Sequence, residues 1–351
     1  MGDRDEMWEL IHLINAKLER AKASGDLAAA LTSADFEETR RLASLQERAD
    51  ADDIDMVANA RHLLGTLRWY RHQLASGGTD DDHVAAVSYF TLPFIMGLDD
   101  IPEALLPDLA DHAMPTATSW QRSAAETRAG DQIDHAFELW QRIADHLRPD
   151  HPGRTAVTAN LGSLLMLRFE DNGSPQDLDR SIEMLEAAAA DTTSPRQRED
   201  ILSTLVNALR TRLKANADPA DLDRMIDHLA AGASVAADET RTQWLYGRAD
   251  SLLIRFDRDG DNADLDQAID ALRTALAADR TDGHPPTALR YDLAYALARR
   301  FNHSRSRTDL AEAIDIASAA ATTAAPDDVF KAPAQSLLDD LLRATHKMRP
   351  G

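Results

Sequence analysis

The sequence predicts an all-α fold: an α-solenoid of helical hairpins with a period of about 44 residues, behind a helical N-terminal region. Three observations lead there. The composition is helical, a hexapeptide recurs at near-constant spacing, and a second landmark keeps step with it.

Hydrophobic residues make up 44% of the chain and aromatics only 5%, so Ala and Leu supply most of the apolar side chains. These are the strongest helix formers, while the β-branched and aromatic residues that fill strands are scarce.

The recurring segment is Asp177-Leu178-Asp179-Arg180-Ser181-Ile182. It returns from Asp221 to Ile226, from Asp264 to Ile269 and, as Asp309-Leu310-Ala311-Glu312-Ala313-Ile314, a fourth time. The intervals are 44, 43 and 45 residues.

Eight residues before each leading aspartate stands Phe169, Leu213, Phe256 or Phe301, directly preceded by Arg168, Arg212, Arg255 or Arg300. Four residues before each of these Phe or Leu residues lies Leu165, Leu209, Leu252 or Leu297. Spacing by four puts Leu165 and Phe169 on one face of a first helix, helix A; Leu178 and Ile182 likewise share a face of a second, helix B. Breakers separate the two: Asn172-Gly173, Asn216 and Pro219, Gly260, and Asn302 to Ser306. The leading aspartate then sits at the start of helix B, as an N-cap or first-turn acid facing the positive helix end. Such a hairpin leaves one apolar face open, and only stacking on its neighbours buries it. The expected pairs are 154–170 with 176–190, 196–214 with 220–235, 239–258 with 263–279, and 285–301 with 308–323. A capping helix over 327–346 should close the array.

The first 150 residues read as helices without a clean repeat, near 3–24, 34–48, 53–75, 82–97 and 102–112. Their breakers are Gly25, Gly77-Gly78, Gly97 and Pro107. The segment from Leu67 to Val87 reads as a degenerate unit. The uncharged run from Val84 to Leu98 would span about 22 Å as a helix, short of a bilayer's roughly 30 Å, so a buried helix breaking near Pro93 is expected. A loop is expected from Met114 to Ser119 around Pro115. One or two helices over 120–147 follow, with Asp134 to His146 resembling a helix B. The expected organisation is a helical region over 1–117, a repeat array over 118–326 that is clear from about residue 153, and a C-terminal cap and tail over 327–351.

A net charge of −22 argues against nucleic acid, which is bound by neutralising phosphates, and favours a partner neutral or basic where it touches. Without cysteine there is no disulfide, thiolate metal site or Cys nucleophile. The start, MGDRDEMWEL, lacks the pattern of a secretion signal, and a cytoplasmic location is expected.

The stretches LLMLRFEDNGSPQDLDRSI and SLLIRFDRDGDNADLDQAI resemble the tetratricopeptide-like arrays of actinobacterial proteins that often carry a C-terminal CHAT domain, a caspase-like peptidase fold. HLLGTLRWYRHQL with the acidic DDDHVAAV is similar to the region before such arrays, so the resemblance covers nearly all of the chain. It implies a sensing or docking part. The CHAT peptidase needs a His–Cys pair; this chain has no cysteine and ends at Gly351 just after the array, so peptidase activity is not carried over. The units also exceed the 34 residues of the standard tetratricopeptide repeat, whose consensus is not matched position by position.

The most regular charged feature is the ladder Arg168, Arg212, Arg255, Arg300 facing Asp177, Asp221, Asp264, Asp309. An active site is normally singular, so a feature present in every unit reads as a structural ion pair fixing the turn; as surface pairs, each would contribute about 0–1 kcal/mol. From Asp257 to Asp264 the carboxylates suggest calcium, but Asn262 and Ala268 stand where an EF-hand needs Gly and Glu. His151-Pro152 and His284-Pro285 occupy comparable turns between units, which favours structural roles. No cofactor, metal or catalytic motif is expected. The function expected is protein–protein interaction, with a peptide or protein segment held on a concave face lined by helix A residues outside the core stripe: Asn160, Asn207, Gln243 and Tyr291. The competing expectation is an enzyme or accessory subunit with a cavity in the N-terminal region, where Trp69 to Phe94 breaks the repeat.

Overall fold

A computed structural model of the chain describes residues 2–25, 36–49, 53–74, 80–278 and 287–347. The turn at Gly77-Gly78 and the dipeptide His284-Pro285 lie outside the described residues. Those residues form helices and connecting turns, with no strand among them. The chain divides into two compact units, Met1–Asp171 and Asn172–Gly351.

The first unit contains α1 (Asp3–Ser24), α2 (Phe36–Arg48), α3 (Ile54–Leu74), α4 (Asp80–Met96), a short 3-10 turn (Glu103–Leu105), α5 (Leu106–Thr127), α6 (Gly130–His146) and α7 (Arg154–Asn172). Met7, Ile14 and Leu18 of α1, Leu42 and Leu45 of α2, and Leu63, Leu64 and Leu67 of α3 form one buried core. Helices α3 and α4 approach so closely that a Cβ on Gly65 would lie 2.8 Å from the ring of Phe90. Arg142 of α6 donates to the carbonyls of Phe94 and Ile95 at 3.1 and 2.9 Å at the end of α4, where Phe94 O also accepts from Gly97 N at 3.1 Å.

Two expectations need correction. The loop over Met114–Ser119 is helix: α5 runs straight through Pro115. An internal proline costs a hydrogen bond and about 3 kcal/mol, but Leu109, Ala110, Ala113, Ala117 and Ala124 give α5 a continuous buried face that outweighs the local preference. Helix α4 likewise continues past Pro93 for one turn and stops at Gly97, whose φ of 74° is left-handed. The position 117/118, where the array was expected to begin, lies inside α5.

The second unit contains α8 (Pro175–Asp191), α9 (Pro195–Asn216), α10 (Pro219–Val235), α11 (Asp238–Asp259), α12 (Asn262–Ala278), α13 (Thr287–Ser304), α14 (Arg307–Thr323) and α15 (Lys331–Lys347). Helices α9/α10, α11/α12 and α13/α14 are the A/B hairpins, each packed on the next, and α15 covers α14 and α13. The stripes read from spacing are the core: Leu209, Leu252, Leu297, Leu222, Ile226, Leu265 and Ile269 are buried, while Ile314 of the last copy is half-buried.

The start of each helix B is built the same way. Ser174, Asp218 and Ser306 are the N-caps, with side chains accepting backbone N–H groups of the first turn, and Asp261 does the same for Ala263 N at 2.9 Å. The leading aspartate of each motif therefore stands three residues inside the cap, where it is free to turn toward helix A.

Candidate functional site

The ladder arginines sit at the A-helix ends, nine residues before the leading aspartates. Arg212 Nε and Nη2 donate to Asp221 at 2.8 and 2.6 Å. Arg255 binds Asp264 at 2.9 and 2.6 Å, and Arg300 binds Asp309 at 2.9 and 2.8 Å, with the same two-pronged geometry. The aspartates are buried, with side chains 2%, 4% and 9% exposed, so these are not surface pairs. The hydrogen bonds to the aspartates oppose the cost of partial burial and raise all three guanidinium pKa values, keeping the charge fixed.

A second set of contacts was not anticipated from the sequence. The remaining Nη1 of each arginine reaches back to the second aspartate of the preceding repeat: Arg212 to Asp179 at 2.7 Å, Arg255 to Asp223 at 2.9 Å and Arg300 to Asp266 at 2.8 Å. The motif reads Asp-Leu-Asp because its first carboxylate closes its own hairpin and its second joins the next one. The last copy has Ala311 there, and Arg343, at the ladder spacing 43 residues after Arg300, pairs instead with Asp340 of its own helix. In the first unit Arg168 lies 3.4 Å from Asp134 and 4.6 Å from the Phe137 ring centre.

The same register reveals one more unit. Ser123 and Gln132 stand 45 residues before Arg168 and Asp177, and Ser123 Oγ donates to Gln132 Oε1 at 3.0 Å. A neutral pair on α5 and α6 thus occupies the ladder position.

The four residues expected to contact a partner are placed differently from one another. Asn207 of α9 and Gln243 of α11 are exposed and line one cavity of about 600 Å³, with Glu199, Asp200, Arg210 and Trp244. Glu199 spans the two A helices, accepting from Thr240 Oγ1 at 2.5 Å and from Trp244 Nε1 at 3.2 Å. Trp244 forms a buried wall, and a Cβ on Gly232 of α10 would lie 2.2 Å from its ring. Tyr291 of α13 is half-buried, stacked with Tyr295 at 6.2 Å and tilted against Phe330 at 5.7 Å, so part of it packs the C-terminal end. Asn160 of α7 is half-buried in the first unit.

Farther along the A-helix face, Tyr246 of α11 donates to Asp292 of α13 at 2.8 Å. Burial raises the Tyr246 hydroxyl pKa, and the hydrogen bond and charge of Asp292 add to that. Asp292 is itself raised by burial and by the charge of Asp250, outweighing the hydrogen bond from Tyr246. Asp250 is solvent-accessible, yet partial desolvation raises its carboxyl against the pull of Arg210.

The calcium-like run has other occupations: Asp257 pairs with Arg299, Asp259 with Arg258, Asp261 caps α12 and Asp264 holds Arg255. His151 accepts from Gly153 N at 3.0 Å through Nδ1 and meets Asp111 at 3.2 Å through Nε2. Among the described residues no group of three or more His, Asp or Glu could hold a metal ion, and no helix is long and apolar enough to cross a membrane.

The first unit has a cavity of its own, of about 480 Å³, between α1 and α3. Trp8, His12, Asn15, Asp53, Asn59 and His62 line it, and Trp8 stacks on His12 at 4.0 Å. The aromatic stretch that drew attention in the sequence lies elsewhere: Trp69 stacks on His72 at 5.4 Å and packs against His83.

No family model and no curated protein matches the chain. Among solved structures it is similar to a Podosopora anserina protein of nearly identical tetratricopeptide-like repeats, at 20% identity over 57% of this chain and 94% of that one, with a TM-score of 0.38. It is also similar to yeast Tom70, at 14% identity over 92% of this chain and 61% of that one, with a TM-score of 0.39. A third is the S. pombe nuclear import adaptor Nro1, at 13% identity over 97% and 99%, with a TM-score of 0.25. In the second unit the A/B hairpins stack one on the next as a helical-repeat array joined by shared arginines.

Proposed function

We propose that the protein is a cytoplasmic, non-catalytic docking module that holds a peptide or protein segment on the concave face lined by its A helices. The observation that carries this reading is the cavity between α9 and α11. Asn207 and Gln243, which the core does not use, project into it beside charged groups and an indole wall. Such a surface offers hydrogen bonds and ring contacts to an extended chain, whereas the regularly repeated charges serve the fold. The sequence resemblance supports the finer reading that the array is of the actinobacterial kind that precedes CHAT domains.

Affinity capture from lysate tests it, using the full chain and Asn207→Ala/Gln243→Ala. These exposed side chains can be removed without touching the core, unlike Tyr291. A protein recovered in near-equal amount by the parent and lost from the variant supports docking at this face. Retention of small molecules alone shifts the assignment to the N-terminal cavity, the second reading, which rests on the exposed Trp8–His12 stack and the polar groups beside it.

A further inference from the structure

The cavity of about 480 Å³ between α1 and α3 has a chemistry that the docking face does not explain. Ile11, Met56 and Leu63 give it an apolar side. Trp8, which also lines it, is 52% exposed, although an indole is normally among the more deeply buried side chains. His12 stacks on Trp8 at 4.0 Å with the planes 27° apart, which orients the ring without hiding it. An oriented, half-uncovered indole beside apolar side chains is a surface for another flat ring or for a cation.

The polar lining is rich in acceptors. Asp53 stands just before α3, and its Oδ1 is shut off from solvent yet accepts no hydrogen bond. Arg4 Nη1 lies 3.4 Å from that oxygen, too poorly placed to donate, on a side chain that is 69% exposed. Asn59 spends its Nδ2 on the carbonyl of Asp55 at 2.9 Å, which leaves its Oδ1 to accept. His62 Nε2 faces the carbonyl oxygen of Asp99 at 3.1 Å, so this nitrogen carries the proton and Nδ1 of the neutral ring is left as an acceptor.

A buried carboxylate oxygen without a hydrogen bond is costly and calls for a donor. Asp53 and Asp55 stand against the single guanidinium of Arg4, so the lining is net negative with its histidines neutral. An orphaned carboxylate oxygen, a negative lining and an open indole together select a cation with N–H donors on a flat apolar body. We propose that this cavity binds a small aromatic amine, its ring on Trp8 and its ammonium on Asp53 Oδ1, with Arg4 swung out into solvent. The site lies within the first unit and does not rest on the docking reading.

The probe is 2-phenylethylamine, compared with 2-phenylethanol and 3-phenylpropionate, which keep the ring and change the charge. Acetyl-lysine amide, blocked at its α-nitrogen, presents an ammonium as a protein segment would, without the ring. Saturation transfer to ligand protons, followed through a titration, reads binding to the full chain and to Trp8→Ala, Asp53→Asn, Arg4→Gln and Glu9→Gln. Circular dichroism checks that each variant folds, and Asn starts a helix as well as Asp does. The amine should bind about tenfold more weakly to Asp53→Asn and to Trp8→Ala. Arg4→Gln removes the competing guanidinium and should tighten binding about threefold. Glu9→Gln removes an exposed charge of α1 outside the cavity and should stay within about twofold of the parent. The alcohol and the carboxylate should bind the parent at least about tenfold more weakly than the amine. Equal binding of amine and alcohol, or of amine and lysine amide, overturns the proposal. So does an amine affinity that Asp53→Asn or Trp8→Ala leaves unchanged, or no amine binding at about 10 mM. Each of these results leaves the docking reading of the second unit as it stands.

Discussion

Arg212 Nη1 meets Asp179 Oδ1 at 2.7 Å although the two residues belong to successive repeats. The same guanidinium closes its own hairpin through Asp221, so one side chain sets both the turn within a repeat and the step to the next. Arginine suits the task because its planar fork offers donors in two directions.

The two halves of this joint differ in energetic weight. Arg255→Ala strands the buried carboxylate of Asp264 and should cost about 3 kcal/mol, the lower end of the range for breaking a buried pair. Asp223→Ala removes only the half-exposed partner and should cost about 0–1 kcal/mol. Urea unfolding of both variants checks the contrast; equal costs would contradict the assignment of roles.

Ala311 occupies the position of the second motif aspartate in the last copy. Ala311→Asp supplies the carboxylate, but Arg343 at the ladder spacing is exposed and paired with Asp340, so stability should stay within about 0.5 kcal/mol of the parent. A thermal melt showing a clear gain would mean that Arg343 turns to the new carboxylate as the ladder arginines do.

Gly232 lets α10 approach the indole of Trp244. A methyl group there would stand 2.2 Å from the ring of a buried tryptophan, which would have to shift to admit it. Gly232→Ala should therefore destabilise the chain by about 1–3 kcal/mol despite alanine's better helix propensity. It should also perturb the Trp244 wall of the cavity, seen as a shift in tryptophan emission.

The raised carboxyl of Asp250 yields a pH-dependent prediction. A folded pKa above the unfolded value favours the protonated form, so stability on this account is fullest at low pH and falls as pH rises through the folded pKa. Asp250→Asn removes that loss. The variant should melt higher than the parent at neutral pH, with the difference vanishing below the ordinary Asp value of about 3.9. An unchanged difference across the titration would refute the raised pKa.

Much of the architecture was legible in the residues because it is encoded locally. The spacing of Leu252 with Phe256, and of Leu265 with Ile269, fixes which side of each helix is buried, and Asp261 and Gly260 mark the turn between them. The α5–α6 unit was harder to see. Ser123 and Gln132 keep the spacing of the ladder but not its charges, and Pro115 signals a break that the buried face of α5 overrides.

The candidate site was legible only in part. Asn207 and Gln243 stood out as A-helix residues outside the stripe, but their meeting in one cavity depends on the stacking of α9 against α11. Tyr291 gave the same sequence signal and yet packs against Phe330, since helical spacing shows a residue's face and not what covers it.

What the sequence by itself determined is the hairpin and its period, because helical propensity, caps and i,i+4 spacing act over a few residues. What only the tertiary structure decided is the sharing of each ladder arginine between repeats, the burial of Asp221, Asp264 and Asp309, and the hydrogen bond of Tyr246 to Asp292. The contacts between repeats join residues 32 to 46 apart, which stacking alone brings together.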